Sequence, residues 1–532
     1  MHTELTLLAL VVGAIAITWV CRRFDVSAPL VLVVAGIGAS FLPGVGTIGI
    51  DPPVVLLVVL VPLLYSAALG SSYHGIRANR RPIGLLAVGL VAFTALVVGL
   101  AAWWTVPELT LAAALVLGAV VAPPDAVSAL AVGRRLGLPR RTMTILGGES
   151  LVNDATALTL FQVFVAVAIG AQLGAWDLST GVPLFDATEM FVVAAAGGTA
   201  IGLAAGWLVH WVRRRLDDPT IEAAVGLIVP FGVYIAAEEA HASGVLAVVV
   251  AGLYLGHHAG EGGYASRLQE AAVWRASDTV LESVVFALIG LQLTTVLAEV
   301  GEVGPLLVAG VAVTLAAVLA RIVWVFPTTY LPRVLFRGIR EREPHPRWQL
   351  PAVVSWVGMR GVVTLAAAFA VPPEVPGRDQ ILFLAFFVTV TTLLLHGLTL
   401  PWVIRRLGVR ESGGQAEVLA EAQAQHDALQ ASISRLDELT EDANTTVRHT
   451  AEKLRRFSQL NANSVWEQLG RSDSEAGEGP GAAYRRLRRE MIDAERAAFV
   501  EQRDAGDIDD EILRRVLRRR DFEEAMLDRD ES

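Results

Sequence analysis

Apolar runs of about 20 residues, the length that an α-helix needs to cross the hydrocarbon core of a bilayer, recur in this sequence from residue 4 to about residue 404. Backbone groups in lipid must find hydrogen-bond partners within the protein, so such runs fold as helices. The sequence is 54% hydrophobic and 18% charged, whereas about 25% of the residues in a soluble globular domain are charged. We therefore predict an all-α polytopic membrane protein.

Glycine, proline and charged residues divide the apolar region into thirteen predicted membrane spans. They lie near residues 5–21, 28–42, 53–70, 82–104, 108–132, 143–170, 188–212, 219–238, 243–258, 278–298, 303–326, 350–372 and 379–404. Basic residues fall almost entirely in alternate loops, and basic loops stay in the cytoplasm. We therefore expect the N-terminus outside and the C-terminus in the cytoplasm, which requires an odd number of spans. Because the sequence opens without the basic cluster of a signal peptide, residues 5–21 are expected to be retained.

The sequence changes character after residue 410. Residues 411–532 hold 28 acidic and 18 basic residues, a net charge of −10, whereas residues 1–410 hold 25 of each. Helical spacing predicts helices near 415–440, 445–468, 481–504 and 508–526, with a break at 472–481. We therefore divide the chain into a transmembrane domain at 1–410 and a cytosolic, acidic, helical tail at 411–532. The single cysteine, Cys21, excludes an internal disulfide framework or a thiolate metal site.

Polar residues interrupt the sixth predicted span, in the stretch GGESLVNDATALTLF at 147–161. Glu149 and Asn153 are four residues apart, as are Ser150 and Asp154, and residues at that spacing share one face of a helix. Charged groups at bilayer depth are costly and therefore face an interior cavity. The spacing predicts a functional polar stripe on this span.

The fifth predicted span contains the sequence VVAPPDAVSALAV. Pro123 and Pro124 each remove a backbone donor and interrupt a helix. A new half-helix is then expected to begin at Asp125, with the acid at the positive end of the helix dipole. The carbonyl groups freed by the prolines can point into a cavity and bind a cation.

The twelfth predicted span carries Arg360 between Gly358 and Gly361, which predicts a second irregular segment. A buried guanidinium needs a carboxylate, and we expect a structural ion pair between Arg360 and Glu149. If spans 1–6 and 8–13 form two inverted repeats, spans 5 and 12 correspond. Paired interruptions at matching positions are typical of the midplane site of a transporter.

Other polar residues carry weaker signals. Glu238 and His241 lie at an outer helix end, where a cation-attracting vestibule and ordinary solvated charges are equally compatible with the sequence. Glu282 is expected to be a charge at a helix end near the cytoplasm. Arg321 lies near the inner end of its predicted span, where its head group can extend to the interface. His396 is expected to make a structural helix contact.

Five stretches, taken together, resemble one protein family. GGESLVNDATAL is similar to the Glu-Ser-Leu-x-Asn-Asp signature of the sodium/proton exchanger branch of the monovalent cation/proton antiporters. APPDAVSALAV resembles the interrupted helix that precedes that signature, and GMRGVVTLA resembles the Gly-x-Arg-Gly element. Glu238 with the following His-Ala-Ser-Gly, and Glu282 with Phe286 and Gly290, resemble two further motifs. The resemblance covers about residues 5–405. The five motifs occur in the same order as in the family and at suitable separations, which does not arise by chance.

The resemblance implies roles for individual residues. Asp154 is implied to bind either the cation or a proton, as the essential carboxylate. Asp125 and Ser150 are implied to assist as sodium ligands, together with backbone carbonyls near Pro123 and Pro124. Two further implications are that Asn153 goes with electroneutral exchange, and that Glu149 and Arg360 form the structural pair.

The resemblance also implies a homodimer in the lipid of the plasma membrane, which is the inner membrane of a bacterium, and a regulatory tail. Neither a cofactor nor nucleic acid is expected, since Na⁺ and H⁺ are the transported ions. Two departures from the family pattern concern the ion site. Pro124 replaces a threonine that is frequent before the aspartate, and Ser66 replaces a glutamate that many relatives carry after the tyrosine of the third span.

We therefore predict a secondary antiporter that exchanges Na⁺ for H⁺ by alternating access, with Li⁺ or K⁺ as other candidate cations, in pH and cation homeostasis. K⁺/H⁺ exchange is the alternative within transport. An intramembrane aspartyl hydrolase is the alternative from another class, because two buried aspartates can serve as acid and base. A passive channel is disfavoured, because it needs no titratable carboxylate.

Overall fold

The computed structural model describes two compact units, at residues 1–411 and 412–532. The described residues are 2–24, 26–42, 56–125, 127–172, 184–216, 218–300, 303–343, 345–409, 414–440, 447–456, 480–505, 512–513, 516–517 and 520–524.

The regular structure of the first unit, over its described residues, is helical. Its first half contains α1 (His2–Arg23), α2 (Ala28–Ser40), α3 (Leu57–Leu69), α4 (Tyr73–Ala78), α5 (Arg80–Thr105), α6 (Leu111–Val121), α7 (Val127–Arg135) and α8 (Arg140–Gln172). Its second half contains α9 (Leu184–Arg213), α10 (Pro219–Glu239), α11 (Gly244–His258), α12 (Tyr264–Leu291), α13 (Leu293–Glu299), α14 (Val303–Leu335), α15 (Arg337–Arg342), α16 (Gln349–Trp356), α17 (Val362–Phe369) and α18 (Arg378–Leu407).

Seven candidate membrane spans among the described residues are long and apolar enough to cross a bilayer: α5, α8, α9, α10, α12 together with α13, α14, and α18. Large apolar side chains lie on their outer faces, such as Val193 at 60% exposure and Val308 at 71%. Such exposure is costly in water and favourable in lipid, so the chain is an all-α membrane protein. The count of thirteen spans and the inverted repeat stay predictions.

Two interrupted helices meet inside this unit. The first interruption separates α6 from α7, and the second separates α16 from α17. The backbone N–H of Asp125 in the first interruption donates to the carbonyl of Met359 in the second, with 2.6 Å between nitrogen and oxygen. A hydrogen bond between non-helical segments satisfies groups that the two helices leave without partners. The interruptions are thereby fixed against each other.

Small residues allow the helices to approach closely. A side chain on Gly36 of α2 would lie 3.0 Å from the Cα of Gly290 in α12. On Gly118 of α6, a side chain would lie 3.1 Å from the backbone nitrogen of Gly99 in α5. Membrane helices associate through such close contacts, because lipid supplies little hydrophobic force between them. The apolar core around the interruptions is packed in this way.

The second unit contains α19 (Gly414–Thr440), a helix at 447–456 and α20 (Pro480–Asp504). These helices coincide with predicted helices at 415–440 and 481–504. The described parts of the predicted helices at 445–468 and 508–526 are also helical, whereas 457–468 and most of the expected break at 472–481 lie outside the described residues. Within this unit Arg488 donates to the carboxylates of Glu495 and Glu523, at 3.1 and 2.6 Å.

Candidate functional site

The carboxylate of Asp154 lies in the interior of the first unit, on α8, where the residue is 6% exposed. It has no ion pair or hydrogen bond with another of the described residues. Ser150 lies one helical turn earlier, as the spacing predicts, and is half-buried. A buried carboxylate without a protein cation beside it is costly when ionised, so it favours binding of a proton or a metal cation.

Asn153 connects the same helix to the first interruption. Its Nδ2 donates to the carbonyl oxygen of Pro124 at 2.9 Å, and the residue is fully buried. Its Oδ1 has no hydrogen-bond partner among the described residues. Asn153 therefore holds one carbonyl of the interruption and presents a second polar oxygen next to Asp154.

Asp125 lies in the first interruption and faces the second. Its carboxylate contacts Gly361, where a Cβ atom would come within 2.6 Å of Oδ2. Residues 127 and 362 begin the half-helices that follow, so the carboxylate lies near the positive ends of two helix dipoles. Asp125 also interacts electrostatically with Asp154. Two carboxylates close to each other repel when both are ionised, and a cation or a proton between them relieves that repulsion.

Arg360 lies at the ends of the two half-helices that precede the interruptions, α6 and α16. Its Nε donates to the carbonyl of Val121 at 3.0 Å, and its Nη1 donates to the carbonyl of Gly358. Its backbone N–H donates to Thr392 Oγ1 at 3.1 Å. Val121 is the last residue of α6, and Gly358 follows the end of α16 by two residues. The negative ends of both helix dipoles lie there, so a guanidinium is stabilised.

The predicted ion pair between Glu149 and Arg360 is wrong. Glu149 pairs with Arg321 of α14, whose Nη1 and Nη2 lie 2.5 and 3.0 Å from the two carboxylate oxygens. Arg321 Nε also donates to the carbonyl of Val354 at 3.0 Å. Both partners of the pair are 2% exposed. Arg360 still interacts electrostatically with Glu149, but Arg321 holds both of its oxygens.

The expectation that Arg321 extends to the membrane interface is also wrong, because its side chain is buried in the pair with Glu149. The predicted span ended at residue 326, whereas α14 continues to Leu335 through Pro327 and Pro332. Arg321 is therefore near the middle of a long helix rather than at its end. The sequence signal that marks it is the apolar stretch on both sides, which continues past Pro327.

Glu238 and His241 lie at the junction of α10 and α11. Glu238 Oε1 accepts a hydrogen bond from the backbone N–H of Gly244 at 3.1 Å, and Oε2 lies 3.5 Å from Gln162 Nε2. The carboxylate thus stabilises the N-terminus of α11. His241 is exposed and adopts a left-handed backbone conformation, with φ of 54°, just beyond the end of α10. The vestibule stays a prediction.

Glu282 lies well inside α12, not at a helix end, because that helix begins at Tyr264 rather than at the predicted residue 278. It interacts electrostatically with Asp125 and with Asp278, one turn earlier. Asp278 was missed from the sequence, and its Oδ2 accepts a hydrogen bond from Ser66 Oγ at 2.6 Å. A carboxylate from α12 therefore lies next to Ser66 of α3.

His396 makes the helix contact expected from the sequence through its ring, but neither ring nitrogen has a hydrogen-bond partner among the described residues. Its ring lies edge-on to that of Trp356, with 5.2 Å between the ring centroids. His396 is buried, and its Cε1 lies beside Gly358 in the second interruption. The contact packs α18 against the end of α16.

Comparison with known proteins shows the family to which this chain belongs. A family model described as "Sodium/hydrogen exchanger, transmembrane" matches residues 7–406. The chain belongs to the sodium/hydrogen exchanger family. The predicted resemblance to the cation/proton antiporters is thereby confirmed, and an intramembrane aspartyl hydrolase receives no support.

Several relatives resemble this exchanger along most of their length. An uncharacterised Na⁺/H⁺ exchanger of Mycobacterium tuberculosis is 34% identical over 540 residues, which cover 98% of this chain and 95% of that protein. The Na⁺/H⁺ antiporter ApNhaP of Aphanothece halophytica is 30% identical over 410 residues, covering 77% and 75% of the two chains. A sodium, potassium, lithium and rubidium/H⁺ antiporter of Bacillus pumilus is 31% identical over 422 residues, covering 75% and 60%.

The exchanger also resembles a solved structure, that of the sodium proton antiporter MjNhaP1 from Methanocaldococcus jannaschii. The TM-score is 0.60, with 76% of this chain and 99% of that chain covered. At 16% identity the likeness concerns the fold alone.

Proposed function

We propose that this exchanger moves Na⁺ and H⁺ in opposite directions by alternating access, with Asp154 as the carboxylate that binds either ion. The observation that carries the proposal is the state of Asp154: it is buried, and no described arginine pairs with it. Two buried arginines of the same unit have other partners, Arg321 in Glu149 and Arg360 in the carbonyl at the end of α6. The carboxylate is therefore available to bind a proton or a cation.

The exchange follows from competition at this one group. An ionised Asp154 attracts Na⁺, with Asp125, Ser150 and the carbonyls near Pro123 and Pro124 as further oxygen ligands. A proton on the carboxylate removes the charge that holds the cation, and the cation leaves. Charge is costly in the hydrophobic interior, so only the occupied, neutralised site crosses between its two orientations. Uncoupled leak is suppressed for that reason.

The neutral side chain next to Asp154 supports electroneutral exchange. Asn153 adds no titratable charge, and it is held by its bond to the Pro124 carbonyl. One carboxylate that carries either one Na⁺ or one H⁺ moves the same charge in each half of the cycle. The net charge moved in a full cycle is then zero.

The remaining features of the proposal concern architecture and setting. Thirteen spans in two inverted repeats place the interruptions at the midplane, with the N-terminus outside and the C-terminus in the cytoplasm. The protein is proposed to act as a homodimer in the plasma membrane, where it contributes to pH and cation homeostasis. The acidic, helical tail at 411–532 is proposed to be cytosolic and regulatory.

The experiment is cation-driven proton movement in proteoliposomes, followed with a pH-sensitive dye. We expect Asp154→Asn to abolish exchange, because the amide binds neither a proton nor a cation strongly. The control is Asp379→Asn, which changes an aspartate whose side chain is 51% exposed at the start of α18. Normal exchange by Asp154→Asn, in protein that reconstitutes like the control, would falsify the assignment.

K⁺/H⁺ exchange is a second candidate because one relative is named for activity with potassium as well as sodium. The proline at position 124 removes a hydroxyl ligand that is frequent in the family. Exchange rates with Na⁺, Li⁺, K⁺ and Rb⁺ in everted vesicles separate the candidates. A higher rate with K⁺ than with Na⁺ at equal concentration favours the second one.

A further inference from the structure

A cavity of about 430 Å³ opens at one end of the helices of the first unit. It lies between the beginnings of α5 and α8, the end of α14 and the segment that leads into α16. None of the residues assigned to the ion site lines it. The basic loops predicted to be cytoplasmic border it, so the cavity faces the inner leaflet in the predicted orientation.

The cavity has an apolar wall and a basic rim. The wall is formed by side chains such as Leu86, Ile145 and Val325. The basic residues that line it are Arg81, Arg141, Arg333, His345 and Arg347. A ligand that fits both surfaces has a negatively charged group at one end and a hydrocarbon chain at the other.

Arg333 supplies the most specific observation. The residue is 6% exposed and lines the cavity. Its Nη2 donates to Glu343 at 2.6 Å, but its Nε has no hydrogen-bond partner among the described residues. A buried N–H without a partner costs free energy that an additional acceptor recovers. The Nε–H of Arg333 is therefore available to donate a hydrogen bond to a ligand.

The charges around Arg333 favour an anion. Glu343 accepts hydrogen bonds from both Arg81 and Arg333, so one carboxylate serves two guanidinium groups. Arg141 and Arg347 are exposed at the rim, and neither pairs with a described acid. Four arginines face one carboxylate, which leaves the rim with an excess of positive charge.

We propose that this cavity binds one anionic phospholipid of the inner leaflet. The phosphate is held by Arg333 with Arg141 and Arg347, because guanidinium groups bind phosphate oxygens in paired hydrogen bonds. The beginning of an acyl chain lies along Leu86 and Val325. Basic pockets between membrane helices on the cytoplasmic side bind anionic head groups in this manner, and the volume is within the range of pockets that hold small ligands.

The test measures lipid binding to the purified full-length protein by native mass spectrometry in detergent. The probes are short-chain phosphatidylglycerol, phosphatidylcholine with the same chains, and glycerophosphoglycerol, which is the head group alone. We expect phosphatidylglycerol to bind at least about tenfold more tightly than phosphatidylcholine. Equal binding of the two lipids overturns the proposal. Equal binding of the head group alone overturns it as well, because a soluble anion is then the ligand.

Variants locate the binding. In Arg141→Gln with Arg347→Gln, two exposed rim charges are removed, and we expect affinity for phosphatidylglycerol to fall by about fivefold for each. The matched control is Arg337→Gln with Arg340→Gln, two exposed arginines of α15 that do not line the cavity. Ile145→Trp fills the apolar wall and keeps every charge, and we expect a comparable loss. Unchanged affinity in both cavity variants, or an equal loss in the control, overturns the proposal.

Discussion

The Nε of Arg360 donates a hydrogen bond to the carbonyl oxygen of Val121 at 3.0 Å, which ties one interrupted helix to the end of the other. The guanidinium thus takes the place of the backbone donors that the interruption removes from α6. Asp125 has the complementary position, near the helix ends with the opposite dipole. One basic and one acidic residue thus lie at helix ends of opposite dipole, where the two interruptions meet.

The partner of Glu149 can be tested by two double-mutant cycles. Glu149→Gln and Arg321→Gln should each cost about 3–5 kcal/mol in the free energy of unfolding, because each leaves a buried charge without its partner. The double variant should cost clearly less than the sum. The measurement is thermal or denaturant-induced unfolding of the purified protein in detergent, followed by tryptophan fluorescence.

The second cycle, Glu149→Gln with Arg360→Gln, is the control for this coupling. Arg360 is bound by helix carbonyls, so its coupling to Glu149 should be smaller than that of Arg321. A larger coupling for Arg360 would contradict the observed pairing and restore the one expected from the sequence.

The contact between Asp125 and Gly361 predicts the effect of a single methyl group. A Cβ at Gly361 would come within 2.6 Å of the Asp125 carboxylate, so Gly361→Ala must displace the acid or the interruption. The φ of Gly361 is −141°, which other residues adopt readily, so the effect is steric. We expect a cost of about 1–3 kcal/mol in the free energy of unfolding, from overpacking, and a large loss of exchange in proteoliposomes.

Gly232→Ala is the matched substitution. Gly232 lies in α10 with no atom within 4 Å of the added methyl group. This variant should exchange ions like the wild type. If Gly361→Ala also did so, the close contact would have no part in transport.

Electroneutral exchange predicts that membrane potential does not change the rate. Wild-type proteoliposomes with a potential imposed by K⁺ and valinomycin should exchange Na⁺ for H⁺ as fast as those without one. The ionophore is omitted in the control. A rate that rises with an imposed inside-negative potential would show that net charge moves.

The substitution Asn153→Asp tests the neutral side chain next to Asp154. The substitution removes the Nδ2 donor to the Pro124 carbonyl and places a carboxylate next to it. A buried acceptor left without its donor costs about 1–3 kcal/mol. We expect lower thermal stability and slower exchange, and an unchanged unfolding temperature would show that the hydrogen bond contributes little.

The tail should lose stability in acid. Arg488 donates to Glu523 and lowers the pKa of that carboxyl below its usual 4.5. A lowered pKa in the folded state means that the carboxylate stabilises the fold above 4.5, and that this contribution is lost as the pH falls further, through the folded pKa. Hydrogen-exchange protection of Pro480–Asp504 in the intact protein, corrected for the intrinsic pH dependence, should therefore fall below pH 4.5.

Arg488→Gln should remove part of this pH dependence. Arg435→Gln is the control, because its pair with Glu438 is an exposed contact within one helix turn. Such pairs contribute little. Equal pH profiles for the wild type and Arg488→Gln would contradict the assigned role.

The proposed ion site could be predicted from the sequence where the information is local. The spacing of Glu149 with Asn153 and of Ser150 with Asp154 depends only on neighbouring residues. The same is true of the removal of donors by Pro123 and Pro124. Both features lie in the structure where the sequence places them.

The partners across helices were not accessible in the same way. One sequence does not tell which of two arginines approaches Glu149, because Arg321 and Arg360 lie on different helices far along the chain. The error followed from ending a span at residue 326, which moved Arg321 to the membrane surface. Asp278 was missed similarly, because α12 was expected to begin where that residue stands.

The pair of Glu149 and Arg321 has a consequence for biogenesis. The two residues are 172 positions apart, so the acid is synthesised long before its partner. At ordinary translation speeds of about 5–20 residues per second, the delay is on the order of ten seconds or more. During that interval Glu149 of the nascent α8 has no arginine partner. We expect α8 to stay at the translocon, or Glu149 to stay protonated, until α14 is synthesised.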